Sequence, residues 1–166
     1  MPDILPQTSP LPAKAFVGTG VTIGASGSLT RYSMRARDPA RLSELIGMML
    51  PTKIGAMADD ILKLGPDEYL ALLPEGTSMP SGEGEPVSIV EVTSRAVGIS
   101  VAGPRAAEVL MAGCALDLSR MAIGRGCRTV FETTEVIVVR KGDQDFHVEV
   151  WRSFAPWLWE ALVYSS

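Results

Sequence analysis

The chain has 166 residues, 46% hydrophobic side chains and a formal net charge of −4. Its length fits one domain with a sizeable core, and its acidic balance argues against a nucleic-acid-binding surface. No stretch approaches the roughly 18 uninterrupted apolar residues of a membrane span, and the first twelve residues lack the basic segment and apolar run of a signal peptide. We therefore expect a cytoplasmic protein that binds neither nucleic acid nor a membrane.

The chain begins with an irregular stretch. Residues 1–27 are rich in Pro, Gly, Ser and Thr, which predicts an extended N-terminal arm followed by a single α+β domain over 28–166. Leu29 to Ala36 alternates as a strand does, and Asp38-Pro39 is a typical start for a helix over Pro39 to Leu50. Two apolar runs, at 60–64 and 69–73, predict a hairpin.

The second half of the chain repeats that order. After a polar loop over 75–86, a strand at 97–101 leads into a helix over 104–112, and strands at 136–139 and 146–151 follow. The halves, 28–74 and 87–164, thus share the order strand, helix, hairpin. This predicts a ferredoxin-like duplicated split βαβ fold, with a mainly antiparallel sheet and helices on one face.

The C-terminal tail holds all three tryptophans and the only histidine. Its pattern predicts a strand that runs into a helix, with Ser153 as N-cap and Pro156 in the first turn. Such a cluster of aromatic residues indicates either dense packing or a surface for a partner. We expect the helix to bury Leu158 and Leu162 and to turn Trp157 or Trp159 elsewhere. The candidate interface residues are Trp151, Phe154, Trp157 and Trp159.

Arginines form two loose groups in the sequence. Arg31, Arg35, Arg37 and Arg41 make up the first group, and Arg120, Arg125 and Arg128 the second. Runs of charge usually lie on a solvated face, which is the interpretation favoured here, and a docking surface for an acidic partner is the alternative.

No pattern of catalytic, cofactor-binding or metal-binding residues stands out. His147 is the one base of the usual kind, and its alternation with Phe146 and Val148 favours a structural role. The two cysteines, Cys114 and Cys127, lack metal-ligand spacing and read as free buried thiols. The glycine-rich stretches at 18–27 do not follow a strong strand and do not open a helix. The sequence therefore predicts no catalytic, cofactor or metal site on this chain.

Four segments carry a resemblance to known proteins: Leu64 to Leu70, Glu91 to Leu110, Ala112 to Leu118, and Glu149 to Trp159. Together they resemble the aminomethyltransferase and folate-binding superfamily and, within it, the gamma-subunit family of heterotetrameric sarcosine oxidases. The string Trp-Arg-Ser-Phe-Ala-Pro from Trp151 is the most specific part. Glu135 is the one candidate for a folate-binding acid of the wider superfamily, and an exposed strand-end charge explains it better.

The resemblance implies a non-catalytic subunit that supports the assembly or stability of an oxidase. Such a complex, an oxidoreductase, demethylates sarcosine to glycine and reduces oxygen to hydrogen peroxide. The resemblance further implies that FAD, FMN, NAD and the one-carbon acceptor tetrahydrofolate lie on partner subunits, the partners being the alpha, beta and delta chains. The alternative is a free-standing protein that binds folate or transfers aminomethyl groups.

Overall fold

The computed structural model describes residues 8–166, which contain eleven β-strands, three α-helices and two short 3-10 turns. The strands are β1 (Phe16–Gly18), β2 (Val21–Ala25), β3 (Leu29–Ala36), β4 (Met57–Ala58), β5 (Ile61–Lys63), β6 (Glu68–Pro74), β7 (Val87–Glu91), β8 (Ala96–Ala102), β9 (Gly126–Phe131), β10 (Thr134–Gly142) and β11 (Asp145–Trp151). The helices are α1 (Pro39–Ile46), α2 (Ala106–Met111) and α3 (Ala155–Tyr164), and the 3-10 turns are Leu118–Arg120 and Arg152–Phe154.

The strands form two antiparallel sheets. Sheet A has six strands in the order β1-β2-β8-β11-β10-β9, and sheet B has five in the order β4-β5-β6-β3-β7. The predicted α+β class with mainly antiparallel strands is confirmed, but the strands divide between two sheets instead of forming one. Alternation along a strand shows which residues share a face, yet it does not show which strands become neighbours.

Helices cover one face of each sheet. The core of sheet A includes Val109 and Leu110 of α2 and Leu158 and Leu162 of α3, all at most 2% exposed. The core of sheet B includes Leu42 of α1, which is fully buried. The remaining faces of the two sheets meet each other, and this contact contains the polar network described below.

The N-terminal stretch differs from the predicted arm. Residues 1–7 lie outside the described part of the chain, whereas β1 and β2 form a hairpin within residues 16–25. Strand β2 then pairs with β8, for example Ile23 with Val101, so this hairpin extends sheet A. Ile23 is fully buried. Short strands separated by Gly and Thr conceal their alternation, which explains why the sequence indicated an arm.

Helix α1 shows how local chemistry sets the ends of an element. Asp38 accepts a hydrogen bond from the Ala40 N–H at 3.0 Å, and Pro39 occupies the first turn, as predicted. The helix ends at Ile46, four residues before the predicted Leu50. Gly47 adopts a left-handed conformation with φ of 67° and terminates it.

Gly98 of β8 lies where sheet A packs tightly against the side chains of His147 and Ser26. A Cβ at this position would lie 2.5 Å from His147 Cε1 and 2.9 Å from Ser26 Cβ. Gly98→Ala should therefore lower the free energy of unfolding in urea by about 1–3 kcal/mol. Gly27→Ala is the matched control, because a Cβ there meets nothing within 4 Å. Equal stability of the two variants would contradict the packing described here.

Candidate functional site

The tail forms a strand that leads into a helix, as predicted, but the cap differs. Strand β11 ends at Trp151, a 3-10 turn spans Arg152–Phe154, and α3 follows directly. Phe154 occupies the N-cap position, and no side chain caps the helix. Ser153, the predicted N-cap, lies inside the 3-10 turn instead. Pro156 occupies the first turn of α3, as predicted.

The four candidate interface residues differ in exposure. Trp151, Phe154 and Trp157 are 44%, 47% and 38% exposed, whereas Trp159 is only 8% exposed and belongs to the core of sheet A. Leu158 and Leu162 turn inward as expected, and of the two tryptophans expected as alternatives on the outer side, Trp157 is the one that is partly exposed. The candidate surface accordingly reduces to Trp151, Phe154 and Trp157, which we call the tail aromatic surface.

Contacts within the chain hold two of these aromatic residues in place. The guanidinium carbon of Arg95 lies 4.6 Å from the centre of the Trp151 ring, a cation–π contact. The rings of Trp157 and Phe131 meet edge to face, with centroids 6.3 Å apart and planes at 73°. Both side chains are thus oriented before any partner binds, which reduces the entropy lost on association.

A buried polar network joins the two sheets near Trp151. Arg31 of β3 donates two hydrogen bonds to the Glu149 carboxylate of β11, at 2.6 Å and 2.9 Å. The Nε2 atom of His147 lies 2.6 Å from the same carboxylate, and its Nδ1 lies 3.0 Å from Ser26 Oγ. The side chains of Arg31 and Glu149 are only 6% and 3% exposed. The predicted solvated arginine face is therefore wrong for Arg31, while Arg35 and Arg37 are exposed.

Ser26, His147 and Glu149 contact one another in that order, and they are the residue types of a catalytic nucleophile, base and acid. Because a carboxylate only accepts hydrogen bonds, His147 Nε2 donates to Glu149, which leaves Nδ1 beside the Ser26 hydroxyl. Arg31, however, already balances the charge of Glu149. A protonated His147 would add a second, unmatched positive charge to a buried site. The geometry consequently favours a structural network over a catalytic one.

The charge state of Glu149 follows from competing effects. Burial alone would raise the pKa of this carboxyl, but the hydrogen bonds from His147 and Arg31 outweigh it and lower the pKa below its ordinary value. Glu149 is therefore ionised in the folded protein at neutral pH. Sequence reasoning missed Ser26 and Arg31 as its neighbours, since neither lies in a motif and Arg31 is 118 residues away.

The other candidate residues from the sequence are explained by local contacts. Glu135 lies 3.7 Å from Arg128 at an exposed position. Cys114 is buried, Cys127 is half-buried, both are free thiols, and burial raises the pKa of Cys127. Among residues 8–166, no three or more His, Cys, Asp or Glu side chains group closely enough to hold a metal ion.

No helix in the part of the chain that the structure describes is long and apolar enough to cross a membrane.

Comparison with known proteins decides the family. The model of the sarcosine oxidase, gamma subunit family matches residues 36–166, which include strands β4 to β11, the three helices, and His147 and Glu149 of the network. The chain belongs to the sarcosine oxidase gamma subunit family. A sarcosine oxidase subunit gamma from Arthrobacter sp is 33% identical over 66% of this chain, and one from Corynebacterium sp. strain P-1 is 30% identical over 74%. The matched regions span 60% and 68% of those two relatives.

Solved structures agree with the family membership. A chain of the heterotetrameric sarcosine oxidase from Corynebacterium sp. U-96, in complex with pyrrole 2-carboxylate, superposes with a TM-score of 0.78 at 26% identity. That match covers 88% of this chain and 85% of the other. The glycine cleavage system aminomethyltransferase T from Bartonella henselae superposes with a TM-score of 0.66 at 14% identity, over 87% of this chain and 45% of that one. The second match shows a shared aminomethyltransferase-like fold.

Removing one partner of the buried ion pair should be costly. Arg31→Met leaves the Glu149 carboxylate buried without its guanidinium, and we expect a loss of about 3–5 kcal/mol in the free energy of unfolding. The double variant Arg31→Met/Glu149→Met should lose less than the sum of the two single variants, measured by urea unfolding. Arg105→Met, which breaks an exposed pair with Glu108, should barely change stability. Additive losses would contradict the coupling.

The lowered pKa of Glu149 also predicts a dependence on pH. A carboxyl whose folded pKa lies below its unfolded value of about 4.3 stabilises the fold above that value, and this contribution disappears as pH falls through the folded pKa. The stability difference between the wild type and Glu149→Gln should be full at pH 7 and shrink below about pH 4. Urea unfolding at stepped pH measures it. A difference that stays constant between pH 7 and 3 would refute this assignment.

Proposed function

We propose that this chain is the non-catalytic gamma subunit of a heterotetrameric sarcosine oxidase and that it supports assembly or stability of the complex. The observation that carries the proposal is the match to a chain of a solved heterotetrameric sarcosine oxidase along most of both chains. That oxidase is a heterotetramer, and in a complex of this kind the tail aromatic surface of this chain would contact another subunit. Family membership over residues 36–166 supports the same assignment.

The chemistry of the complex then belongs to the partner chains. We propose alpha, beta and delta subunits as partners, with FAD, FMN, NAD and tetrahydrofolate bound outside this chain. The complex would oxidise the N-methyl group of sarcosine while reducing oxygen to hydrogen peroxide, release glycine, and pass the oxidised one-carbon unit to tetrahydrofolate, all in the cytoplasm. Two features of the described residues are consistent with a supporting subunit: Arg31 already balances the charge of Glu149 beside His147, and Glu135 forms a salt bridge with Arg128.

Binding through the tail aromatic surface is the mechanism that this proposal implies. Exposed aromatic side chains that become buried in an interface often account for 2 kcal/mol or more of binding free energy each. Their burial against a larger partner would also explain why three large aromatic residues remain partly exposed in a chain with a well-packed core.

Phe154→Ala and Trp157→Ala test this mechanism. Each variant should reduce affinity for the co-expressed alpha, beta and delta chains at least about tenfold, since about 1.4 kcal/mol corresponds to a factor of ten. Affinity purification through a tag on the alpha chain, followed by quantification of this chain, measures the effect. Tyr164→Ala is the matched control, because Tyr164 is an aromatic residue of the same helix with 92% exposure.

Two results would overturn the proposal. The first is a wild-type chain that does not co-purify with the other subunits at all. The second is micromolar binding of tetrahydrofolate to the purified chain alone, measured by calorimetry, which would instead indicate a free-standing folate-binding protein. Retention of both Ala variants at the wild-type level would remove the tail aromatic surface from the mechanism and leave the subunit assignment in place.

A further inference from the structure

The two sheets enclose a small cleft that ends at the tail aromatic surface. Arg31 and Glu149 form its floor, Ser33, Leu70 and Ile137 contribute to its walls, and the exposed Arg95 and Trp151 lie at its mouth. Its volume of about 100 Å³ equals that of roughly three water molecules. Pockets for cofactors are usually about 300–1,000 Å³. A single aliphatic side chain is the size of occupant that fits.

The charge of Arg95 at the mouth of the cleft sets a second requirement for the partner that covers it. Arg31, Arg35, Arg41, Arg105, Arg128 and Arg140 each lie within 4 Å of a carboxylate. Within residues 8–166, no salt bridge joins Arg95 to an acidic side chain, although it is exposed and held over Trp151. A partner that covered Arg95 with apolar groups alone would bury an unpaired charge, at a large desolvation cost. The complementary partner therefore carries a carboxylate at this point.

We propose that this cleft receives one aliphatic side chain of another subunit of the oxidase, with a neighbouring Asp or Glu of that subunit pairing with Arg95. The inference rests on the proposed function, because it requires a partner subunit. The aliphatic group would fill the space between Leu70 and Ile137, and the carboxylate would accept hydrogen bonds from the Arg95 guanidinium. The Trp151 ring keeps that guanidinium in position before docking, so the pair forms with little further ordering.

The first test reverses the charge at the mouth. Arg95→Glu in the co-expressed complex should weaken association with the alpha, beta and delta chains at least tenfold. Arg37→Glu is the matched control, since Arg37 is also exposed and also lacks a salt bridge in the described part of the chain. Equal association of the two variants, whether both bind or both fail, would overturn the inference.

The second test fills the cleft from inside. Ser33→Leu places an aliphatic group in the space proposed for the partner, so association should fall while the melting temperature of the isolated chain stays at or above that of the wild type. Association at the wild-type level, with the chain folded, would overturn insertion of a side chain. If this variant does not fold, the Arg95 comparison still decides the question.

The third test identifies the partner segment. In the Arg95→Lys complex, a carbodiimide condenses the new amine with an adjacent carboxylate, with loss of water, and mass spectrometry locates the amide. The expected cross-linked peptide belongs to another subunit and has Leu, Ile or Val beside the modified Asp or Glu. A cross-link to a second copy of this chain, or none beyond the Arg37→Lys control, would overturn the inference. Failure of the wild-type chain to join the complex would instead overturn the proposed function itself.

Discussion

The bidentate contact between Arg31 and Glu149 is the interaction on which the arrangement of this molecule depends. It joins β3 of sheet B to β11 of sheet A, and both partners are almost completely buried. A buried pair of this kind contributes little net stability compared with apolar side chains, but it strongly disfavours any arrangement that separates the charges. Its main physical effect is to fix the relative position of two sheets that each have a separate apolar core.

The remainder of the network follows from this contact. His147 is oriented by the same carboxylate, Ser26 is oriented by His147, and Gly98 leaves the space in which the two meet. The arrangement has the atoms of a catalytic triad, yet the guanidinium changes its chemistry, because the negative charge that would stabilise an imidazolium is already matched. A group of residues should thus be assigned a function from its charge balance as well as from its composition.

Patterns among neighbouring residues were sufficient to predict individual strands and helices. The alternation of Leu29 to Ala36, the Asp38-Pro39 helix start and the strand-to-helix tail each depend on neighbouring residues, and each appears in the structure. The division of the strands into two sheets and the burial of Arg31 depend on contacts between distant residues. Arg31 resembled its neighbours Arg35 and Arg37 in sequence, and only pairing with a residue 118 positions away distinguishes it. The aromatic surface was predicted as a set, but only packing separated Trp159 from the exposed members.

The strand order of sheet A has a consequence for synthesis on the ribosome. Sheet B is complete once residue 91 has emerged, whereas sheet A places β2, from residues 21–25, against β8, which in turn pairs with β11 at residues 145–151. The N-terminal hairpin consequently waits for its sheet until nearly the whole chain is available, and Arg31 stays hydrated until Glu149 arrives. We therefore expect closure between the sheets to come late in folding and to complete the cleft and the tail surface together.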